Sequence, residues 1–391
     1  MLFYRSTPTD SILPTRSSIY SSLLLQQLYY TMNEVRFVKG CMREISDVGA
    51  DLCVCPMKIT PSPQRGEGWN EGTIQRIFFA ASWGRYTEGV VWKRIERALG
   101  RFGLKLAWRL FHCLPLDIAV RLGAAVGCLG YYLSARYRRV AIANLTRAFP
   151  EWSRARVRAT VRRTFRNFGV ALAEFLKAPS MTRDQLEQRI ELMGREHLDA
   201  AFREGKGVLL LTGHFGNWEL MARYLVLLGY PIAVIARPTE DPTTTELVTM
   251  LRERSGYRVY ARGNAARAVL KTLRANEAVG ILPDQNAGDV FIEFFGQKAG
   301  CVAGPAIFHL RTGAPIVPLF NVRLPGDYHR IEILPPMHFM PTGDLQTDAQ
   351  RIMQAWHDLL ESYVRRYPDQ WLWLHDRWKS ARKREREGMD P

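Results

Sequence analysis

From Gly205 onward the chain repeats one pattern, a short apolar run followed by an amphipathic stretch of helical period. Apolar runs at 208–212, 232–236, 257–260, 278–282, 315–322 and 328–334 read as strands. Stretches 218–228, 243–255, 265–276, 303–312 and 347–366 read as the helices between them. Such alternation constrains the fold class to α/β, a largely parallel mixed sheet flanked by helices. The turn Pro325-Gly326-Asp327 allows the last two strands to pair as a hairpin. In a sheet of this kind the loops beyond the carboxyl ends of the strands carry the chemistry. Here those loops hold His214, Arg237-Pro238 and Pro283-Asp284-Gln285.

The segment before this alternation differs in kind. Residues 1–89 show no sustained helical or strand period, and Thr60-Pro61-Ser62-Pro63-Gln64-Arg65-Gly66-Glu67-Gly68-Trp69 reads as translated intergenic repeat. They are expected to be a leader upstream of the true start, or a disordered tail. Residues 90–150 are expected to form a helical segment. Its most apolar stretch, about 104–134, is interrupted by Lys105, Arg109, Asp117 and Arg121 and closed by Ala135-Arg136-Tyr137-Arg138-Arg139. This fits helices lying in or dipping into a membrane interface with their basic end toward the cytoplasm, and equally a core helical hairpin around Pro115. Residues 151–391 hold the alternating region and a basic C-terminal tail. They begin with a helix over 154–176 that carries Arg154, Arg158, Arg162, Arg163 and Arg166. That face is either solvated or set against an acidic surface.

The 54 Lys+Arg against 38 Asp+Glu, a formal +16, point to acidic partners: nucleic acid, anionic lipid or an acidic protein. Polar residues placed straight after apolar strands argue for a small-molecule site and against nucleic acid. The six cysteines form no CxxC pair and accompany no histidine-rich spacing, so neither a zinc site nor a disulfide framework is expected, and a reducing location fits.

In Leu211-Thr212-Gly213-His214-Phe215-Gly216-Asn217-Trp218-Glu219 an apolar strand ends in a glycine-flanked turn, and a helix follows. Five helical positions turn about 500°, which would put His214 and Glu219 on different faces of one helix. The pair therefore requires His214 in the turn and Glu219 in the first helical turn, where Glu219 is expected to hold one imidazole nitrogen and leave the other as a base. Asn217 is expected as a helix cap or a second polar group at the site. No Gly-x-Ser-x-Gly elbow is present, and Cys301 reads as a small buried hydrophobe. The substrate must then supply the nucleophile, as an alcohol would when it attacks an activated carbonyl.

The same residues resemble a known family. His214-Phe215-Gly216-Asn217-Trp218-Glu219 is similar to the HxxxxD/E motif of glycerolipid-type acyltransferases, in the form found in bacterial lipid A biosynthesis lauroyl/myristoyl acyltransferases. Ala236-Arg237-Pro238, Leu282-Pro283-Asp284-Gln285, Phe294-Phe295-Gly296, Gly304-Pro305, Arg311–Pro318 and Trp371–Lys379 extend the likeness across about residues 90–383. The resemblance implies transfer of an acyl chain from acyl carrier protein to a hydroxyl of a glycolipid precursor at the cytoplasmic face of the bacterial inner membrane, with an anionic surface nearby. It implies no cofactor and no metal. It implies His214 as general base with Glu219 as its partner, and Asn217, Arg237, Asp284, Gln285, Phe294, Gly296 and Arg377 as substrate-contacting positions. Phe291, Ile292, Phe294 and Phe295 are expected to line an acyl tunnel. The terminal block departs from the common His-Arg-Arg-Phe by reading His375-Asp376-Arg377-Trp378, which leaves the acceptor open. A lysophospholipid, an amino-acid lipid or a mannoside lipid is the alternative. The Phe-Pro-Glu-Gly-Thr block of lysophosphatidate acyltransferases is absent.

Overall fold

The structure, a computed structural model, describes residues 108–239 and 241–388 together with Gly103 and Leu106. The reading of residues 1–89, and of most of 90–107, lies outside the described residues. In chain order the elements are α1 (Leu116–Leu133), α2 (Ala135–Ala148), α3 (Arg154–Lys177), α4 (Arg183–Glu187), β1 (Ile190–Met193), α5 (Arg195–Arg203), β2 (Val208–Leu211) and α6 (Trp218–Leu227). Next come β3 (Ile232–Ala236), α7 (Pro242–Arg254), β4 (Arg258–Ala261), α8 (Ala265–Arg274), β5 (Ala278–Ile281), β6 (Val290–Phe294) and β7 (Gln297–Cys301). The chain ends with α9 (Gly304–Thr312), β8 (Ile316–Arg323), β9 (His329–Ile333), α10 (Leu345–Arg366) and α11 (Lys379–Arg386).

The main sheet runs β1-β9-β8-β2-β5-β3-β4. Every neighbouring pair is parallel except the β8–β9 hairpin, the one expected through Pro325-Gly326-Asp327. Strands β2, β5 and β8 are buried throughout, as their near-continuous apolar sequences require. Alternate residues of β2 feed two cores. Leu209 and Leu211 pack with Trp356 and Leu360 of α10, whereas Val208 and Leu210 pack with Leu220 and Leu225 of α6. The sheet is thus covered on both faces.

Two features are not legible in the sequence. Strand β1 is short and polar on one face, and joins the sheet only because β9 is already there to pair with it. Strands β6 and β7 form a separate antiparallel hairpin through Phe295 (φ 54°) and Gly296 (φ 66°), with β6 packed on α10. Gln354 of α10 donates to the Glu293 carbonyl and accepts the Glu293 backbone N–H, fixing that docking.

Helix α1 lies against α3 with almost no side chain between them. A Cβ on Gly123 would sit 2.5 Å from the Gly169 carbonyl oxygen, and Gly127 is pressed against the Phe165 backbone. The opposite face of α1 leaves Ile118, Leu129 and Tyr132 exposed. Among the described residues α1 is the one helix long and apolar enough to cross a membrane.

Gly169→Ala should therefore lose about 1–3 kcal/mol through overpacking between two backbones. In an exposed helix interior the same change would gain up to about 1 kcal/mol. Urea unfolding of the two proteins reads the sign directly.

Candidate functional site

Strands β2 and β5 are parallel neighbours with Leu211 opposite Ile281. His214 and Asp284 each lie three residues beyond that last matched pair, so the register brings them together. His214 Nδ1 is 2.7 Å from Asp284 Oδ1, and the His214 backbone N–H donates to Asp284 Oδ2 at 2.7 Å. The Trp371 indole N–H donates to the same Oδ2 at 2.8 Å. With Asp284 accepting the Nδ1 proton, Nε2 is the basic nitrogen, and the Gln285 amide approaches it at 3.3 Å. The Trp218 ring meets the imidazole edge-on, with centroids 4.9 Å apart.

Burial alone would raise the Asp284 carboxyl. The imidazole beside it and the hydrogen bonds from His214 and Trp371 outweigh that effect and hold it below the usual carboxylate range. Asp284 therefore stays ionised beside the histidine. The expectation that Glu219 holds the imidazole is corrected by this geometry. Glu219 is turned away to Arg252, at 2.6 Å from Nη2, and accepts from Tyr257 Oη at 2.5 Å and Trp218 Nε1 at 3.1 Å. Burial raises the Glu219 carboxyl, but the Arg252 charge and these hydrogen bonds leave it lowered. A buried carboxylate bound this way braces α6 against α7 and the Tyr257 strand entry.

His214, Gln285, Glu219 and Arg237 all line one cavity of about 530 Å³, a size suited to a small-molecule site. Its apolar wall comes from Leu210, Met221, Ala222, Leu225, Ile232 and Val234, under α6 and α7. Arg252 and Arg262 add positive charge. The cavity does not run where the aromatic block was expected to form a tunnel. Ile292, Phe294 and Phe295 are buried in the core beneath α10, because the β6–β7 hairpin packs its apolar face inward. Phe291 lies under the Arg384 guanidinium.

Four of the expected substrate contacts do not line this cavity, and Asn217 takes the other role expected of it, the helix cap. Asn217 is 1% exposed. Its Oδ1 caps α6 by accepting from Leu220 N, and its Nδ2 donates to Glu174. Phe294 is 0% exposed and stacks on Trp378. Gly296 sits in the exposed hairpin turn. Arg377 is wholly buried and donates to the Gly300 carbonyl and to His357 Nε2 at 3.1 Å. Burial and the Arg377 charge push His357 down to about 3, so its ring is neutral, with Nδ1–H given to the Met353 carbonyl. Cys301 is buried, its thiol pushed up to about 12 mainly by burial, and it is no nucleophile at neutral pH.

The C-terminal block acts as a clamp beneath the site. Leu372 N donates to the His214 carbonyl and Gly216 N to the Gln370 carbonyl. His375 Nε2 accepts from Asn286 N at 2.8 Å, next to Gln285. Gly216 needs its positive φ of 59° here, and a Cβ would collide with the Asn321 carbonyl. A second buried network, missed in the sequence, joins the helical hairpin to the same turn. Glu174 of α3 binds Arg323 through both guanidinium nitrogens (2.8 and 2.6 Å), His329 Nε2 (3.0 Å) and Asn217. Its only trace in the sequence is an acid inside an apolar helical stretch.

Residues 94–380 match the family model described as bacterial lipid A biosynthesis acyltransferase. The lipid A biosynthesis lauroyltransferase of Escherichia coli (strain K12) is 29% identical over 284 residues, covering 71% of this chain and 90% of that protein. The lipid A biosynthesis palmitoleoyltransferase of the same organism is 28% identical over 285 residues, with the same coverage. A phosphatidylinositol mannoside acyltransferase of Mycolicibacterium smegmatis is 24% identical over 211 residues, 52% of this chain and 67% of that protein.

His357 and His375 are held neutral by burial, each with a folded value of about 3 against an ordinary 6.5. Below pH 6.5 the unfolded chain takes up both protons and the folded one does not, so stability should fall with acidification. The slope should approach two protons, about 2.7 kcal/mol per pH unit between pH 6 and 4. Depressed Glu174, Glu219 and Asp284 add to the loss only below their ordinary values of 4.5, 4.5 and 3.8. Urea midpoints from pH 7.5 to 4 measure this, and His357→Gln should roughly halve the upper slope.

Proposed function

This chain belongs to the bacterial lipid A biosynthesis acyltransferase family, and we propose that it moves a fatty acyl chain from acyl carrier protein to a hydroxyl of a lipid A precursor. The observation that carries the reading is an imidazole held at Nδ1 by an ionised, buried aspartate and bordering a 530 Å³ cavity with an apolar wall. Nε2 takes the proton of the acceptor hydroxyl as its oxygen attacks the thioester carbonyl. The tetrahedral intermediate collapses, the carbon–sulfur bond breaks, and the imidazolium returns the proton to the leaving thiolate. Asp284 stabilises the imidazolium between the two transfers. Glu219 acts at one remove, by fixing Trp218 and the start of α6.

The acyl chain occupies the cavity under α6 and α7, where each buried methylene contributes about 0.8 kcal/mol. Arg237 and Arg262 suit a phosphate of the donor's prosthetic arm or of the acceptor. Residues 90–150 attach the enzyme to the cytoplasmic face of the inner membrane, a reading supported by the exposed apolar face of α1. Residues 151–391 are the acyltransferase domain. The likeness to a mannoside acyltransferase supports a phosphatidylinositol mannoside as the second choice of acceptor.

His214→Ala should lower acyl transfer by about 10²–10⁴-fold with folding intact, and Asp284→Asn by a comparable factor. Transfer of labelled acyl chains from acyl carrier protein to a lipid A precursor, with purified variants, measures both. Near-normal turnover by a folded His214→Ala protein would overturn the mechanism.

A further inference from the structure

The floor of the large cavity is the sheet itself. One register row crosses five strands there: Val317, Leu210, Gly280, Val234 and Val259. The last four line the cavity. Every member of the row carries a branched side chain except Gly280. Val234 stands on an inner strand yet is only half-buried, because it borders this open space.

Glycine inside a buried strand weakens it, and it often marks a close approach by something other than a side chain. Neither backbone nor packing requires glycine at position 280. Its backbone lies outside the left-handed region. A Cβ there would meet Val234 Cγ1 at 3.3 Å and the Ala233 carbonyl oxygen at 3.8 Å, and no other atom within 4 Å. At Gly207 and Gly300, by contrast, a Cβ would strike backbone at 2.6 and 2.0 Å. With strands about 4.8 Å apart, the missing side chain leaves a trough roughly 9–10 Å wide between the backbones of β2 and β3. An alkyl chain in contact at about 3.5–4.0 Å on each side fits such a trough.

Gly280 also lies midway along the cavity. Thr212 and Leu282, two residues beyond the row and about 7 Å further along the strands, line it on the side of His214. Ile232, two residues before Val234, and Tyr257 line it on the other side. Met221 and Leu225 of α6 and Val248 of α7 form the facing wall.

We propose that Gly280 is the residue that sets the acyl chain length. The chain held at His214 runs back along the sheet, crosses Gly280 in the trough and continues toward Ile232 and Tyr257. The inference rests on the acyl-transfer reading above and adds the position that measures the chain. A side chain at 280 would block the trough halfway. Chains that end before the row would keep their contacts, and longer ones would be displaced. An apolar pocket discriminates one methylene by about 10–200-fold, so a small side chain is enough to move the preference.

The test is competition among acyl carrier proteins loaded with even-numbered chains from octanoyl to hexadecanoyl, with the full chain as enzyme and a lipid A precursor as acceptor. The readout is kcat/KM for the parent's optimum chain relative to that for the octanoyl chain. Gly280→Val should lower this ratio about tenfold or more and move the optimum to a shorter chain. Gly280→Ala should lower it a few-fold. Neither change should lower Tm, because the new atoms enter open space and a β-branched residue suits a central strand. An unchanged ratio in both variants, or a fall in Tm in both, would overturn the assignment. A parent enzyme that transfers none of these chains would instead overturn the acyl-transfer reading.

Discussion

The Asp284 carboxylate is the interaction on which the site depends. It sits at the end of β5 and accepts from the His214 ring, the His214 backbone and the Trp371 indole. One buried charge therefore closes the β2 turn, the β5 turn and the C-terminal block on each other, although these three stretches lie far apart in sequence. Leaving such a carboxylate unpaired would cost several kcal/mol, so the three stretches are locked in one arrangement. The imidazole tautomer and ring angle follow from it.

Glu174 has the matching role in the next layer out. Its two oxygens gather Arg323 and His329 from the sheet hairpin and Asn217 from the turn that carries His214. Burial opposes its charge, but Arg323 and His329 outweigh that and hold the carboxyl below its ordinary range. Through it α3, the helix against which α1 lies, is joined to the turn that carries His214. Helix α1 is thus joined through α3 to the turn that carries His214. Glu219, Arg252 and Tyr257 do the same between α6 and α7, along the wall of the large cavity.

Much of the fold is legible in the sequence because its signals are local. Strand and helix alternate with the periods that a covered parallel sheet requires, and Pro325-Gly326-Asp327 announces its one antiparallel pair. Phe291, Ile292, Phe294 and Phe295 read as a tunnel wall because they form an apolar run after the site. Periodicity does not say which core an apolar run will join. The family resemblance implies Arg377 and Asn217 as substrate contacts, and Asn217 also reads as the helix cap that it proves to be. Both are instead buried among protein partners.

The sequence by itself determined that a histidine stands at the end of a buried strand, in a turn flanked by glycines, with no nucleophilic elbow in the sequence around it. It also carried the family. Which carboxylate holds that histidine was decided by tertiary structure alone. The choice between Glu219, five residues away, and Asp284, seventy residues away, depends on strand order and on the pairing of Leu211 with Ile281. Strand register is a property of the sheet, fixed by the summed burial of all its strands, and no local stretch of sequence contains it.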